Sequence, residues 1–123
     1  MLVRYKKNMQ KIAMGLLSFM PDEKNDVKKL QQTILEYESN PDWHLYLWKE
    51  NDDTLGAIGL KIVDGINAVI QHISVDPSHR NQGIGKTMVK EVVQQYKDMY
   101  AVCTVDEEIQ HFYDKLDDDI EDK

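Results

Sequence analysis

The chain has 123 residues, 30% of them charged, enough for one domain around one core. Its net charge is −7, of which residues 117–123, with five acids and one base, carry −4 and the remainder −3; such a surface disfavours a general nucleic-acid binder and tolerates a cationic amine. No apolar run approaches the ~20 residues of a membrane-spanning helix, the N-terminus has no apolar signal segment, and Cys103, the single cysteine, excludes an internal disulfide, so the expectation is a cytoplasmic protein with neither a membrane nor a nucleic-acid partner.

Leu2-Val3-Arg4-Tyr5 alternates apolar and polar residues and predicts a short first strand. Asn8 is placed to cap a helix with Met9, Ile12, Ala13, Leu16, Leu17 and Met20 on one face, ended by Pro21. Asp22 is placed to cap a second helix with Val27, Leu30, Ile34 and Tyr37 inward, and Asn40-Pro41-Asp42 breaks it. The aromatic and branched run 43–50 predicts a strand and Asn51-Asp52-Asp53 a turn. Residues 55–63 read as the next strand, and Asp64-Gly65 turns it into another at 67–75. Ile84, Met88, Val92 and Tyr96 on one stripe, with Val89 and Val93 beside it, predict a long helix over about residues 82–97. Residues 100–104 make a short apolar strand. Thr104-x-x-Glu107, a capping-box spacing, would open a last helix with Ile109, Phe112, Tyr113 and Leu116 on one face. Cys103 is expected to be a buried core thiol, and Trp43, Tyr46 and Trp48 to be packing groups. The order β-α-α-β-β-β-α-β-α makes this an α/β protein: three meander strands before one helical crossover predict a mixed sheet with helices on both faces. One domain is expected over residues 1–116, followed by a solvated acidic tail at 117–123.

The stretch Arg80-Asn81-Gln82-Gly83-Ile84-Gly85-Lys86-Thr87 lies where the strand 67–75 gives way to the long helix. Backbone N–H groups at such a junction can cradle a phosphate, glycine lets the anion approach the peptide, and the helix adds roughly half a positive charge. Three glycine patterns compete for it. A Walker A loop needs glycine at position 80, which is Arg80, and no convincing Walker B strand accompanies it; a dinucleotide fingerprint needs glycine at position 88, which is Met88. The third, Arg/Gln-x-x-Gly-x-Gly/Ala after a strand ending Val-x-Pro, fits throughout, from Val75-Asp76-Pro77 to Arg80 and Gly85. In this the chain resembles the coenzyme A loop of the GNAT acetyltransferases.

That resemblance implies the GNAT acyl-CoA N-acyltransferase fold in a short form lacking the last two strands, with acetyl-CoA as co-substrate and no metal. It implies that the pyrophosphate rests on backbone N–H groups of Gln82, Gly83, Ile84, Gly85, Lys86 and Thr87, with side-chain contacts from Lys86 and Thr87. Arg80 is either a source of phosphate charge or a surface ion pair. The pantetheine amides would pair as a pseudo-strand with Ile73 and Val75, on either side of Ser74, where strand 67–75 splays from strand 100–104. Phe112-Tyr113 matches the family's Phe-Tyr, which implies Tyr113 as the acid that protonates the departing thiolate and Phe112 as core. The position of the family's usual glutamate base holds Val69. His72 is then the nearest titratable candidate, weighed against a structural hydrogen bond on a half-buried strand, and His44 is a weaker one. One of the three strand aromatics is a candidate lining of the acceptor cleft.

Further segments carry a narrower resemblance. Arg4-Tyr5-Lys6-Lys7, residues 11–21, Leu47-Trp48-Lys49-Glu50, Gly56-Ala57-Ile58-Gly59, and His72-Ile73-Ser74-Val75 with Pro77-Ser78-His79-Arg80 are similar, as a set, to short GNAT-like proteins encoded with riboflavin biosynthesis enzymes in some Gram-positive bacteria. The expected function is therefore acetyl transfer from acetyl-CoA to an amine by direct attack on the thioester. The alternatives are a non-catalytic CoA-binding regulatory or assembly protein and, third, a P-loop nucleotidase. Without two final strands, the edge near Tyr100 is expected either to pair with a second copy, giving a homodimer, or to be covered by the tail.

Overall fold

A computed structural model describes residues 1–20, 26–80 and 82–104. The elements are β1 (Leu2–Arg4), a 3₁₀ turn (Lys7–Met9), α1 (Gln10–Leu17), α2 (Val27–Ser39), β2 (Trp43–Glu50), β3 (Asp53–Val63), β4 (Asn67–Val75), a second 3₁₀ turn (Pro77–His79), α3 (Ile84–Tyr96) and β5 (Ala101–Thr104). The last helix expected from the sequence, with Phe112 and Tyr113, and the acidic tail lie outside the described residues.

The strands form one sheet in the order β1-β2-β3-β4-β5. The first four are an antiparallel meander, and β5 lies parallel to β4. Short turns serve the meander: Asn51 heads one at φ 55°, and Asp64 and Gly65 make the next at φ 56° and 66°, the left-handed backbone that tight hairpins require. The parallel step needs a crossover, and α3 supplies it.

Side chains alternate across the sheet, so each face has its own core. On one face α3 packs Ile84, Met88, Val89, Val92 and Tyr96 against Trp48, Ile58, Leu60, Ile62, Ala68 and Ile70. On the other, α1 and α2 pack Ala13, Leu16, Leu17, Leu30, Ile34 and Tyr37 against Tyr5, Leu45, Leu47 and Ala57. β3 is paired on both sides and is apolar for most of its length, as a central strand must be.

Several expectations are corrected. Asn8 caps nothing: residues 7–9 form a 3₁₀ turn, and Met9 stands at the N-cap of α1 without a side-chain bond. α2 begins at Val27 and is capped by Asp26, whose carboxylate accepts from Lys29 N at 3.0 Å, an orphan N–H of the first turn; Asp22, the cap expected from the sequence, lies outside the described residues. Ile12 and Val27, placed inward by periodicity, are exposed. Each helix covers the sheet with a stripe narrower than its apolar set. Cys103 is exposed, because on β5, the last strand of the sheet among the described residues, it alternates with Val102, which packs on the core.

Candidate active site

The glycine loop is built from β4 onward. The Asp76 N–H closes the β3–β4 pairing by donating to Leu55 O at 2.8 Å. The Asp76 carboxylate then accepts from Ser78 N at 2.9 Å and Ser78 Oγ at 2.6 Å, capping the turn at Pro77–His79. These two bonds hold its carboxyl below the usual carboxylate range. Arg80 is exposed and leans back, with Nε 3.5 Å from Val75 O. Gln82 is exposed, and Gly83 is the N-cap of α3 at φ 79°. The first helical bond runs from Thr87 N to Gly83 O at 3.0 Å, and the Thr87 hydroxyl donates to the same oxygen at 2.8 Å. The peptides of Ile84 and Gly85 therefore head the helix, where N–H groups point outward along its axis. Ile84 is buried and anchors this end on the core, Gly85 is buried beside it, and Lys86 is half-buried.

Beside the loop, β5 pairs with β4 over Asn67–Ile70 among the described residues, and β4 runs on to Val75. Since Asp76 N faces β3 and backbone groups alternate sides, the N–H and C=O of Ile73 and Val75 face away from β3, on the side where β5 pairs with the earlier part of β4. The Ser74 side chain takes no part in that edge; it is buried, and its hydroxyl donates to Leu16 O at the end of α1.

A bulge lies just past Ile70, the last β4 residue paired with β5 among the described residues. Gly59 pairs with His72 and Leu60 with Ile70, so Gln71 is an extra residue in β4. Apolar residues facing α3 accordingly stand at 68 and 70 before it and at 73 and 75 after it. Gln71 and His72 both turn to the opposite face and meet Tyr37 of α2: His72 Nδ1 lies 2.6 Å from the Tyr37 hydroxyl, and Gln71 Nε2 donates to that oxygen at 3.3 Å. The ring of Tyr37 fits because position 59 is glycine; a Cβ there would fall on the Tyr37 hydroxyl oxygen. Tyr37 and Gln71 do not stand out by residue type. The readable signal is the pair of adjacent polar residues, Gln71-His72, interrupting a strand of period two.

His44 sits elsewhere. Its Nε2–H donates to Pro41 O at 2.9 Å, so Nδ1 accepts from Tyr96 Oη at 2.7 Å, Tyr96 accepts from Tyr46 at 2.8 Å, and Arg4 covers the Tyr46 ring 5.4 Å from its centroid. Burial pushes the His44 pKa down, and burial together with the Tyr46 hydrogen bond pushes Tyr96 up. Tyr96 ends α3, about 18 Å from its first turn at ~1.5 Å per residue, so this chain braces the far end of the helix. Among the described residues no group of three His, Cys, Asp or Glu side chains is placed to hold a metal, and no helix is long and apolar enough to cross a membrane.

A family model described as the acetyltransferase (GNAT) family matches residues 11–117. The chain belongs to this GNAT acetyltransferase family. It is also 59% identical over 98 residues, 80% of the chain and 81% of the relative, to an uncharacterized N-acetyltransferase in the lysA 3′ region of Bacillus methanolicus. Two solved structures share the GNAT fold. The aminoglycoside acetyltransferase AAC(6′)-Iy, in complex with a bisubstrate analogue of CoA, superposes with TM-score 0.72 at 14% identity, over 94% of this chain and 85% of that one. A GNAT acetyltransferase from Elizabethkingia anophelis with acetyl-CoA bound gives 0.64 at 23% identity, over 83% of this chain and 63% of that one.

Proposed function

We propose that this GNAT acetyltransferase carries an acetyl group from acetyl-CoA to the nitrogen of an amine. The observation that carries the reading is the stretch of β4 at Ile73 and Val75, past its last pair with β5 among the described residues, running on toward the left-handed Gly83 at the head of α3. An edge of alternating N–H and C=O groups suits the two amides of a pantetheine arm, and a helix N-terminus suits a pyrophosphate. In this reading Gln82 to Thr87 bind the pyrophosphate, Arg80 adds positive charge, and Tyr113 protonates the departing thiolate. The amine nitrogen bonds to the carbonyl carbon as the C–S bond breaks. The amine loses one proton and the sulfur gains one, giving an amide and free CoA. The test is thiol release from acetyl-CoA across a panel of primary amines, with CoA affinity measured alongside; CoA binding and turnover of at least one amine are expected.

The second reading, a CoA-binding protein acting in regulation or assembly without catalysis, draws on Val69. It occupies the position of the family's usual base and is paired with Cys103 in the closed part of the sheet. CoA binding without turnover of any amine would favour it. The motifs shared with short GNAT-like proteins support placing the chain with RibT, and its acetylation beside riboflavin biosynthesis in the cytoplasm. A deletion strain with parental riboflavin output would argue against that link.

A further inference from the structure

We propose that the cleft between the end of β1 and the C-terminal half of α2 binds an α-amino acid with an apolar side chain, as a ligand other than the acetyl acceptor.

The cleft forms where the first strand leaves the sheet. β1 pairs with β2 as far as Arg4 and Tyr46, and the Tyr5 N–H still donates to Leu45 O at 2.8 Å. The chain then turns away through Lys7–Met9, while β2 extends back to Trp43. What remains is an open cleft of about 520 Å³, with Arg4, Tyr5 and Lys7 on one side and Leu35 and Glu38 of α2 on the other. That size lies within the ~300–1,000 Å³ of small-molecule sites.

Its charges suit both ends of an amino acid. Tyr5 Oη donates to Glu38 Oε2 at 2.6 Å, and Gln10 Nε2 donates to the same oxygen at 3.2 Å. Burial and the Glu38 bond push the Tyr5 pKa up, so the phenol keeps its proton and stays a donor. Glu38 Oε1 bonds to no described residue, which leaves a carboxylate oxygen in place for an ammonium. Arg4 and Lys7 supply the opposite sign. Arg4 is held over the Tyr46 ring, and Lys7 stands exposed on the 3₁₀ turn. Neither makes an ion pair with a described residue, and a guanidinium fork matches a carboxylate. Leu35, 57% exposed on α2, offers an apolar wall.

The charge of the segment agrees. Residues 1–11 hold four bases and no acid, a net +4 in a chain of −7, so the remainder carries −11. A carboxylate is therefore drawn to this end of the molecule. A plain amine would meet Arg4 and Lys7, and a plain anion would meet Glu38; a zwitterion satisfies both. Glu38 is bonded to Tyr5 beside β1, and β4 stands three strands further along the sheet, about 14 Å away at ~4.8 Å per strand. An amino group held at Glu38 is thus remote from the β4 edge.

Leucine, methionine and phenylalanine, each titrated to about 10 mM into the ¹⁵N-labelled full chain, test this. Saturable amide shifts at Tyr5, Lys7 and Glu38 are expected with at least one of them. Its analogues without the ammonium or without the carboxylate (isocaproate and isoamylamine for leucine) should bind at least about tenfold more weakly. Glu38→Gln keeps an oxygen for the Tyr5 hydroxyl, and Lys7→Glu alters only an exposed turn, so both should fold, with parental spectra away from the cleft. Each should lose at least about tenfold in affinity. No shift at those amides with any of the three, equal binding of a singly charged analogue, or parental affinity in either folded variant would overturn the site. Acetylation of the bound amino acid by acetyl-CoA, abolished in Glu38→Gln, would make the cleft an acceptor site and overturn its separation from acetyl transfer. The titration needs no acetyl-CoA, so its outcome is independent of the acetyl-transfer reading.

Discussion

Gly83 is held at φ 79° with nothing within 4 Å of where a Cβ would stand. A residue with a Cβ pays about 1–2 kcal/mol for that backbone, yet collides with nothing in the protein, so Gly83→Val should fold. Its isopropyl group would occupy the space an anion needs, and calorimetry should show CoA affinity lost; a folded Gly83→Val that binds CoA like the parent would rule out the loop as the pyrophosphate site. Gly59 is the opposite case, since an added Cβ meets Tyr37 directly. Gly59→Ala should cost about 1–3 kcal/mol in urea denaturation by overpacking and displace the Tyr37 hydroxyl from His72. Tyr113→Phe should lower kcat at least about tenfold with CoA affinity retained; parental turnover would mean that another group or a water protonates the sulfur.

At the scale of elements, the ends of α3 are fixed by different chemistry. The turn at Pro77–His79 that leads into the loop end depends on the Asp76 cap. Because the folded pKa of Asp76 lies below its ordinary 3.8, the cap is present above that value and is lost as pH falls through the folded pKa. At neutral pH it is intact. The C-terminal end depends on the chain from Tyr46 through Tyr96 and His44 to Pro41. Burial lowers the His44 pKa below 6.5, so the unfolded chain binds the extra proton first. Stability is then full above about pH 6.5 and declines on acidification toward the folded pKa. Protonation at Nδ1 would also confront the Tyr96 hydroxyl with a second donor. Thermal unfolding of the parent should show this decline between neutral and mildly acid pH, and His44→Gln should flatten it; parallel profiles for the two proteins would exclude His44 as its source.

At the scale of the molecule, one sheet separates two cores, and both lean on β3. Leu60, fully buried under α3, illustrates the dependence: Leu60→Ala should destabilise by about 2–5 kcal/mol, read from the denaturation midpoint at constant slope. The same sheet has β5 at its border among the described residues, and β5 exposes Cys103. A second copy docked there would protect the amides of residues 101–104 from exchange and double the mass in scattering. A monomer with fast exchange across those four amides would exclude both a partner and an intramolecular cover.

Periodicity along the chain was enough to place the strands at 43–50 and 67–75, the buried stripe of α3 and the meander order, because contacts between neighbours in sequence and the need to hide one face dictate them. The loop from Val75 to Thr87 was readable for a related reason: glycine and proline act on the backbone locally, whatever surrounds them. Tertiary structure alone decided that Ile12, Val27 and Cys103 face outward, and that Gln71 bulges from β4 to meet Tyr37. Each of those outcomes turns on which surface another element covers. The pairing of Tyr37 with His72 spans 35 residues and depends on Gly59, on a third element, leaving room for the Tyr37 hydroxyl.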